Sequence, residues 1–242
     1  MAGETLFISD LHLDSSRPNV VDLFRRFAAQ CHGADALYVL GDLFEAWVGD
    51  DEDGPVADAV AGALHGVADA GTPVFVLHGN RDFLMGAGFA ARSGATLLPD
   101  PTRIDLYGEA VLISHGDALC TDDIEYQQLR RLLRDPHWQA DFLAKGLAER
   151  RAMAVALRQQ SREATQAKAE DIMDVNQEAV ARMMREHAVV RLIHGHTHRP
   201  AMHEFDLDGT PAWRIVLGDW YDQGSVLSCS ARGCELRRLP LS

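Results

Sequence analysis

Cysteine is scarce in this chain and long apolar runs are missing. Four cysteines, Cys31, Cys120, Cys229 and Cys234, occur among 242 residues, none in Cys-x-x-Cys spacing. That excludes a zinc ribbon and a dithiol redox motif. With no secretory leader at the N-terminus, they are expected to be reduced thiols of a cytosolic protein. No apolar run approaches the ~20 residues that span a bilayer, so any membrane relationship has to be peripheral. Basic residues are in deficit too: 23 Lys and Arg stand against 36 Asp and Glu, a formal charge of −13. Phosphate backbones are held by clustered Lys and Arg, which argues against a nucleic-acid partner. A phosphorylated small substrate stays open, because bound metal ions supply positive charge that composition hides.

What is present is a series of short apolar runs rich in β-branched residues, several ending in polar residues. "TLFIS" leads into Asp10, "ALYVLG" into Asp42 and "PVFVLHGN" into Asn80. "AVLIS" leads into His115, and "VVRLIHG" into a histidine cluster. Each run has the length of a buried strand. Helical patterns such as Val20–Ala29 and Val56–Ala70 lie between the early ones. Alternating strands and helices predict an α/β sheet flanked by helices, with functional groups at the carboxyl ends of the strands.

The alternation stops between about Ile124 and Glu186. That stretch holds no strand-like run, is rich in Ala, Leu, Arg, Gln and Glu, and contains one proline, Pro136. It reads as helices inserted between two strands, a cap over residues 124–186, leaving 1–123 and 187–242 as the core. "WRIVLGDW" and "GSVLSCS" resume the strand pattern and close the sheet. The acidic "VGDDEDG" at Val48–Gly54 lacks the ligand spacing of a calcium loop and is expected to be a solvated turn.

Five clusters carry chemistry: "SDLHLD" with Asp10 and His12, "GDLFEAW" with Asp42, "GNRD" with Asn80, "SHGD" with His115, and "HGHTH". Carboxylate and amide oxygens with imidazole nitrogens, and no thiolate, suit Mn²⁺, Fe or Zn²⁺. The groups are too many for one ion with an open position and about right for two ions sharing a carboxylate. Any one cluster alone is better explained as a turn or a polar strand end. All five in order, each after a strand-like run, are not.

This ordered set, D-x-H, G-D, G-N-x-D, H and G-H-x-H, resembles the calcineurin-like metallophosphoesterase superfamily from Asp10 to His198. The resemblance implies an α/β (α+β) fold, a four-layer αββα double β-sandwich, around two metal ions. Carried over by position, Asp10, His12 and His198 hold one ion, Asn80, His115 and His196 the other, and Asp42 bridges them. Alternate residues of an extended segment point the same way, so His196 and His198 are expected to face one site. His194 precedes the motif and matches no ligand position. The third motif usually reads G-N-H-[DE]; here Arg81 replaces that histidine. Arginine keeps its proton at any working pH and cannot act as a general acid, but it grips phosphate oxygens and offsets charge. A leaving group that is already a phosphate needs no proton, so Arg81 favours a phosphoanhydride substrate.

A narrower resemblance covers nearly the whole chain. "FISDLHLD", "LGDLFEAW", "LHGNRDFL", "SHGDALCTDD", "AKAEDIMDVN" and "LIHGHTHRP" are similar to the UDP-2,3-diacylglucosamine diphosphatase family of lipid A synthesis. It implies hydrolysis of UDP-2,3-diacylglucosamine to UMP and 2,3-diacylglucosamine 1-phosphate by hydroxide attack on the α phosphorus. It implies two Mn²⁺ ions, and a peripheral position on the cytoplasmic face of the inner membrane. Asp42 and Arg81 would serve catalysis. Asn80, Arg81, Asp123, Ser161, Thr165, Lys168 and His196 would contact substrate; Thr165 departs from the asparagine of some members. Ser161, Thr165 and Lys168 share one helix face.

Two acyl chains would then meet the cap, where Trp138 and Phe142, and Met153 and Leu157, form stripes at helical spacing. Such stripes are ordinary core about twice as often as not. Arg130, Arg131, Arg134, Arg150 and Arg151 are candidates for anionic headgroups, each worth ~1 kcal/mol near such a surface. The competing enzyme is a broader nucleoside-diphosphate-sugar or dinucleotide hydrolase. A scaffold that has lost its metals is disfavoured, since every ligand position carries a competent residue.

Overall fold

Each apolar run read as a strand is one in the computed structural model, which describes residues 3–166 and 174–241, the side chains of 162–166 aside. The first half alternates β1 (Thr5–Ile8), α1 (Pro18–Gln30), β2 (Ala36–Leu40), α2 (Pro55–Asp69), β3 (Val74–Leu77), α3 (Ala87–Ser93) and β4 (Thr96–Leu98). A hairpin of β5 (Thr102–Leu106) and β6 (Glu109–Ser114) follows, then α4 (Ile124–Leu133), α5 (Pro136–Leu143), α6 (Leu147–Gln166) and α7 (Gln177–Glu186). The chain ends with β7 (Arg191–His194), β8 (Ala201–Leu207), β9 (Thr210–Val216), β10 (Gly224–Ser230) and β11 (Gly233–Leu239).

Two sheets result, of order β11-β10-β1-β2-β3-β4 and β5-β6-β7-β9-β8. Strands β1 to β4 run parallel, as do β6, β7 and β9. Period-two alternation sorts their side chains into layers. Leu6, Ile8, Leu37, Val39, Val74 and Val76 meet α1, α2 and α3, while Phe7, Leu40 and Leu77 face Val111, Ile113, Ile193 and Ile215 of the other sheet. Leu112 and Leu192 turn outward onto Val180 and Met184 of α7. Strands buried on both faces explain the near-continuous apolar runs. The architecture is the four-layer αββα sandwich. Each fully buried Leu, Val or Phe contributes about 1.5–3 kcal/mol.

Helix starts follow from local chemistry. Pro18, Pro55 and Pro136 occupy first-turn positions, where a missing N–H is harmless. Asp123, Asp135 and Asn176 accept backbone N–H groups at the starts of α4, α5 and α7. The span expected of the cap, 124–186, takes in α7, which packs on the second sheet through Val180 and Met184.

Two expectations need correction. The loop Val48–Gly54 is not a freely solvated turn. Asp50 accepts the N–H groups of Gly86 and Gly88 at 2.9 and 2.7 Å and so anchors the start of α3. Asp51 pairs with Arg150, only 3% exposed, and Arg151 bonds both Glu52 and Asp53. The run is acidic because it fastens α6 to the core. The partners lie about a hundred residues away in sequence, beyond any local reading.

The cysteines are not all thiols either. Cys229 and Cys234 face each other across the β10–β11 register and are joined as a disulfide. Cys31 and Cys120 lie outside any disulfide and are buried, their thiols pushed up by burial to about 12. A thiol titration without reductant should therefore find almost none in the native chain and two per chain in denaturant. Four would overturn the pairing.

Candidate metal centre

The site collects at the carboxyl ends of β1, β2, β3, β6 and β7, where the two sheets meet. Five of its residues leave their strands in the left-handed region: Asp10 (φ 56°), His12 (φ 50°), Asp42 (φ 51°), His196 (φ 70°) and His198 (φ 56°). For residues with a Cβ this costs about 1–3 kcal/mol each, and it persists only where neighbours hold it. Here they do. Asp10 N donates to Gly41 O (3.2 Å), His12 N to Asp42 O (3.0 Å) and Leu13 N to Leu43 O (3.0 Å), lacing the β1 and β2 loops together. The buried Asp82 carboxylate accepts Leu43 N and Gly79 N, both at 2.7 Å, and ties the β2 and β3 loops.

His196 and His198 both reach the centre, but through left-handed turns and not as alternate residues of an extended segment. Strand β7 ends at His194, and the two left-handed residues send their rings to different partners. His196 Nδ1 lies 3.0 Å from Asn80 Oδ1, whereas His198 Nε2 lies 3.3 Å from both Asp10 Oδ1 and His12 Nε2. His115 Nε2 is 2.9 Å from the same Asn80 oxygen. Asp42 sits between the groups, 3.9 Å from His12 Nε2 and 3.8 Å from His115 Nε2.

Two sets of donor atoms fall within 4.8 Å of one another: Asp10, His12 and His198, and Asp10, Asp42 and His115. All except His198 are buried. Asp10 Oδ1 and His12 Nδ1 have no hydrogen-bond partner among the described residues. Buried carboxylates and imidazoles with unspent lone pairs fit a divalent cation.

Electrostatics agree. Burial pushes the Asp42 carboxyl up, with Asp82 and Asp10 adding to it, a cost that a bound cation reverses. Burial would raise Asp10 too, but the His198 contact and the neighbouring imidazoles outweigh it and hold that carboxyl low. Burial depresses His12, and it depresses His196 to about 3, so both stay in the neutral form that ligates metal. His115 Nδ1 meets the Leu40 carbonyl at 2.9 Å, which places its proton there and leaves Nε2 for the site.

A cavity of about 350 Å³ opens beside these groups. Asn80 and Arg81 lie at its core side, and Leu129, Leu133, Trp138, Phe142 and Leu157 supply its cap side. Of the stripes on α5 and α6, Trp138, Phe142 and Leu157 line this space, with Trp138 and Phe142 stacked at 5.0 Å, while Met153 packs on the core. Ser161 also lines the cavity. Asp123 does not; its carboxylate accepts Tyr126 N at the start of α4. The Thr165 side chain and Lys168 lie outside the described residues.

The arginines assigned to headgroups are largely committed elsewhere. Arg130 bonds Asp117 at 2.7 Å, Arg134 donates to the Gly79 carbonyl at 2.9 Å, and Arg150 and Arg151 fasten the acidic loop. Sequence reasoning missed Glu45 and Arg158. Glu45 Oε2 accepts Arg81 Nη1 at 2.8 Å, its carbonyl accepts Arg158 Nη1 at 2.8 Å, and its other carboxylate oxygen bonds Arg158 Nη2. Glu45 lay in plain view within "GDLFEAW", and Arg158 sits one helical turn before Ser161.

The calcineurin-like phosphoesterase family model matches residues 4–200. The chain belongs to this family. Curated relatives named UDP-2,3-diacylglucosamine hydrolase include that of Stenotrophomonas maltophilia (strain K279a), 54% identical over 97% of this chain and 98% of that protein. The relative of Cellvibrio japonicus (strain Ueda107) is 54% identical over 96% and 98%. That of Xanthomonas oryzae pv. oryzae (strain PXO99A) is 53% identical over 98% and 99%. Membership of a metallophosphoesterase family, with this donor set, means a divalent metal cofactor.

Gly79 tests the packing of the centre. A Cβ there would lie 2.1 Å from Asp42 Oδ1 and 2.2 Å from its backbone nitrogen. Gly79→Ala should displace Asp42, and ångström-scale displacement lowers turnover by about 100-fold. Metal content by elemental analysis should fall while far-UV circular dichroism is kept. Parental metal content in the variant would refute the packing argument.

Proposed function

We propose that the chain hydrolyses the pyrophosphate of UDP-2,3-diacylglucosamine, giving UMP and 2,3-diacylglucosamine 1-phosphate. The observation that carries this reading is the apolar, cap-roofed cavity opening at Arg81 beside the buried donor set. Relatives 53–54% identical over almost their full length, which bear the name of that hydrolase, support it. Asp10, His12 and His198 would hold one Mn²⁺, and Asn80, His115 and His196 a second, with Asp42 serving both. When bound, the ions lower the pKa of water toward about 7 and so supply hydroxide near neutral pH.

The chain's own residues orient and neutralise. Arg81 grips the phosphates and offsets the charge that builds as the P–O bond to the sugar phosphate breaks. The leaving 1-phosphate is a stable anion and takes its electron pair without needing a proton from the enzyme. Asn80 and Ser161 contact the polar head, with Thr165 and Lys168 from the cap, while Leu129, Trp138 and Leu157 surround acyl chain.

The same cap supports our reading of a peripheral place on the inner membrane. Among the described residues no helix is long and apolar enough to cross a membrane. Ile124, Leu132, Leu143 and Val155 are exposed apolar side chains on α4, α5 and α6. Their exposure supports a lipid-facing cap better than its arginines do.

Hydrolysis in ¹⁸O-labelled water should place the label in UMP and leave the lipid phosphate unlabelled. Label in the lipid phosphate would move the attack to the other phosphorus. Trp138→Ala should raise KM for the diacylated substrate about tenfold, in line with losing part of one aromatic side chain's burial. A small chromogenic phosphodiester should be cleaved as before. Equal turnover of UDP-2,3-diacylglucosamine and UDP-N-acetylglucosamine by the parent would favour a broader nucleotide-sugar hydrolase.

A further inference from the structure

Of the three clustered histidines, His194 is fully buried and, like His196, joins neither donor set among the described residues; unlike His196, it has no contact with Asn80. Its Nδ1 lies 2.9 Å from the Gly195 carbonyl oxygen, and its Nε2 lies 3.4 Å from Arg214 Nη1. A guanidinium offers only N–H groups and keeps them at any working pH. The Arg214 contact therefore obliges Nε2 to accept. A doubly protonated ring would set donor against donor, so the ring is neutral and its one proton sits on Nδ1, facing the Gly195 carbonyl. Free histidine prefers its proton on Nε2, so the fold has to impose this tautomer.

The imposition is not free. Arg214 is only 5% exposed, and its Nε has no hydrogen-bond partner among the described residues. A buried cation so weakly partnered needs a reason to be there. The Gly195 corner supplies one, because three site loops touch it. Gly195 N donates to His115 O at 2.9 Å, and His196 N donates to Asp10 Oδ2 at 2.8 Å. A Cβ on Gly195 would lie 2.3 Å from Asp10 Oδ2, and one on Gly116 would lie 2.8 Å from His194 Nδ1. Rotation of this peptide would swing the His196 N–H off Asp10 and the His196 ring off Asn80.

We propose that His194 and Arg214 are positioning residues for the metal centre. Arg214 fixes His194 as the Nδ1–H tautomer, and that proton holds the Gly195 carbonyl so that His196 meets both Asp10 and Asn80. The inference rests on the reading above that Asp10 and His196 hold metal.

The test begins with the parent chain, so it does not depend on a variant folding. ¹⁵N NMR of His194, metal-free and loaded with diamagnetic Zn²⁺, should give a pyrrole-like Nδ1 and a pyridine-like Nε2. The reverse pattern overturns the proposal. Arg214→Met should let the Nε2–H form appear and weaken metal affinity about 10–100-fold, the usual effect of losing a ligand's supporting partner. Stoichiometry at saturating metal should be kept. His194→Asn, whose amide N–H can sit near the Nδ1 position, should retain more affinity than His194→Gln, which reaches toward Nε2. Equal loss in the two would mean that His194 only fills space. A parent chain that binds no metal at all would sink the metal-centre reading and this inference with it, whereas metal binding with the reverse tautomer would sink the inference alone.

Discussion

Asp10 and Asp42 lie side by side in the interior, at 0% and 2% exposure, with His198 3.3 Å from Asp10 and the Arg81 guanidinium 3.5 Å from Asp42. Two carboxylates so placed repel each other and have lost their water. The surrounding structure can be read as the means of keeping them there until cations arrive. Imidazoles from three loops surround them, and Arg81 approaches Asp42 with both its backbone N–H (2.9 Å) and its Nε (3.5 Å). Left-handed turns at five positions aim side chains inward that an ordinary strand exit would send elsewhere. Gly41, Gly79 and Gly195 leave no Cβ where the loops touch. The strain is local, and the energy that sustains it comes from the layers of apolar side chains beneath.

The cap is held to this centre by carboxylates of the core. Asp117, fully buried two residues after His115, accepts Arg130 and the Tyr126 hydroxyl from α4. Tyr126 in turn stacks on the His196 ring at 5.8 Å. Glu45 joins Arg158 of α6 to Arg81, and the acidic loop grips Arg150 and Arg151. The cavity and the candidate metal centre therefore share side chains, Asn80 and Arg81 among them. A change in one is felt in the other through contacts of under 3 Å, such as Arg81 to Glu45 at 2.8 Å.

The strands, the layer order and the insertion were legible because apolar runs are local signals. So were Asp10, His12, Asp42, His115 and His198, which the fold gathers into two donor sets, since each follows a run in a recognisable motif. The rest depended on distant partners. Asp51 reads as surface until Arg150 is folded against it, and Arg151 reads as a headgroup contact until Glu52 and Asp53 claim it. Helix α7 carries the same composition as the cap, yet Val180 and Met184 place it on the second sheet. Asp123 matches a substrate position by motif, whereas its carboxylate visibly caps a helix. Cys229 and Cys234 stand five apart, a spacing with no meaning until the hairpin aligns them.

The position of β1 has a consequence for synthesis on the ribosome. It is a central strand, lying between β2, its successor in the first sheet, and β10 near the chain's end. The nascent chain makes Asp10 and His12 first, and they wait for His198 before their side of the centre can assemble. The first sheet cannot gain its antiparallel edge until β10 and β11 emerge. Capture of an ion by Asp10, His12 and His198 thus has to wait until β7 and the turn after it are made, whereas Asp10, Asp42 and His115 are all present much earlier.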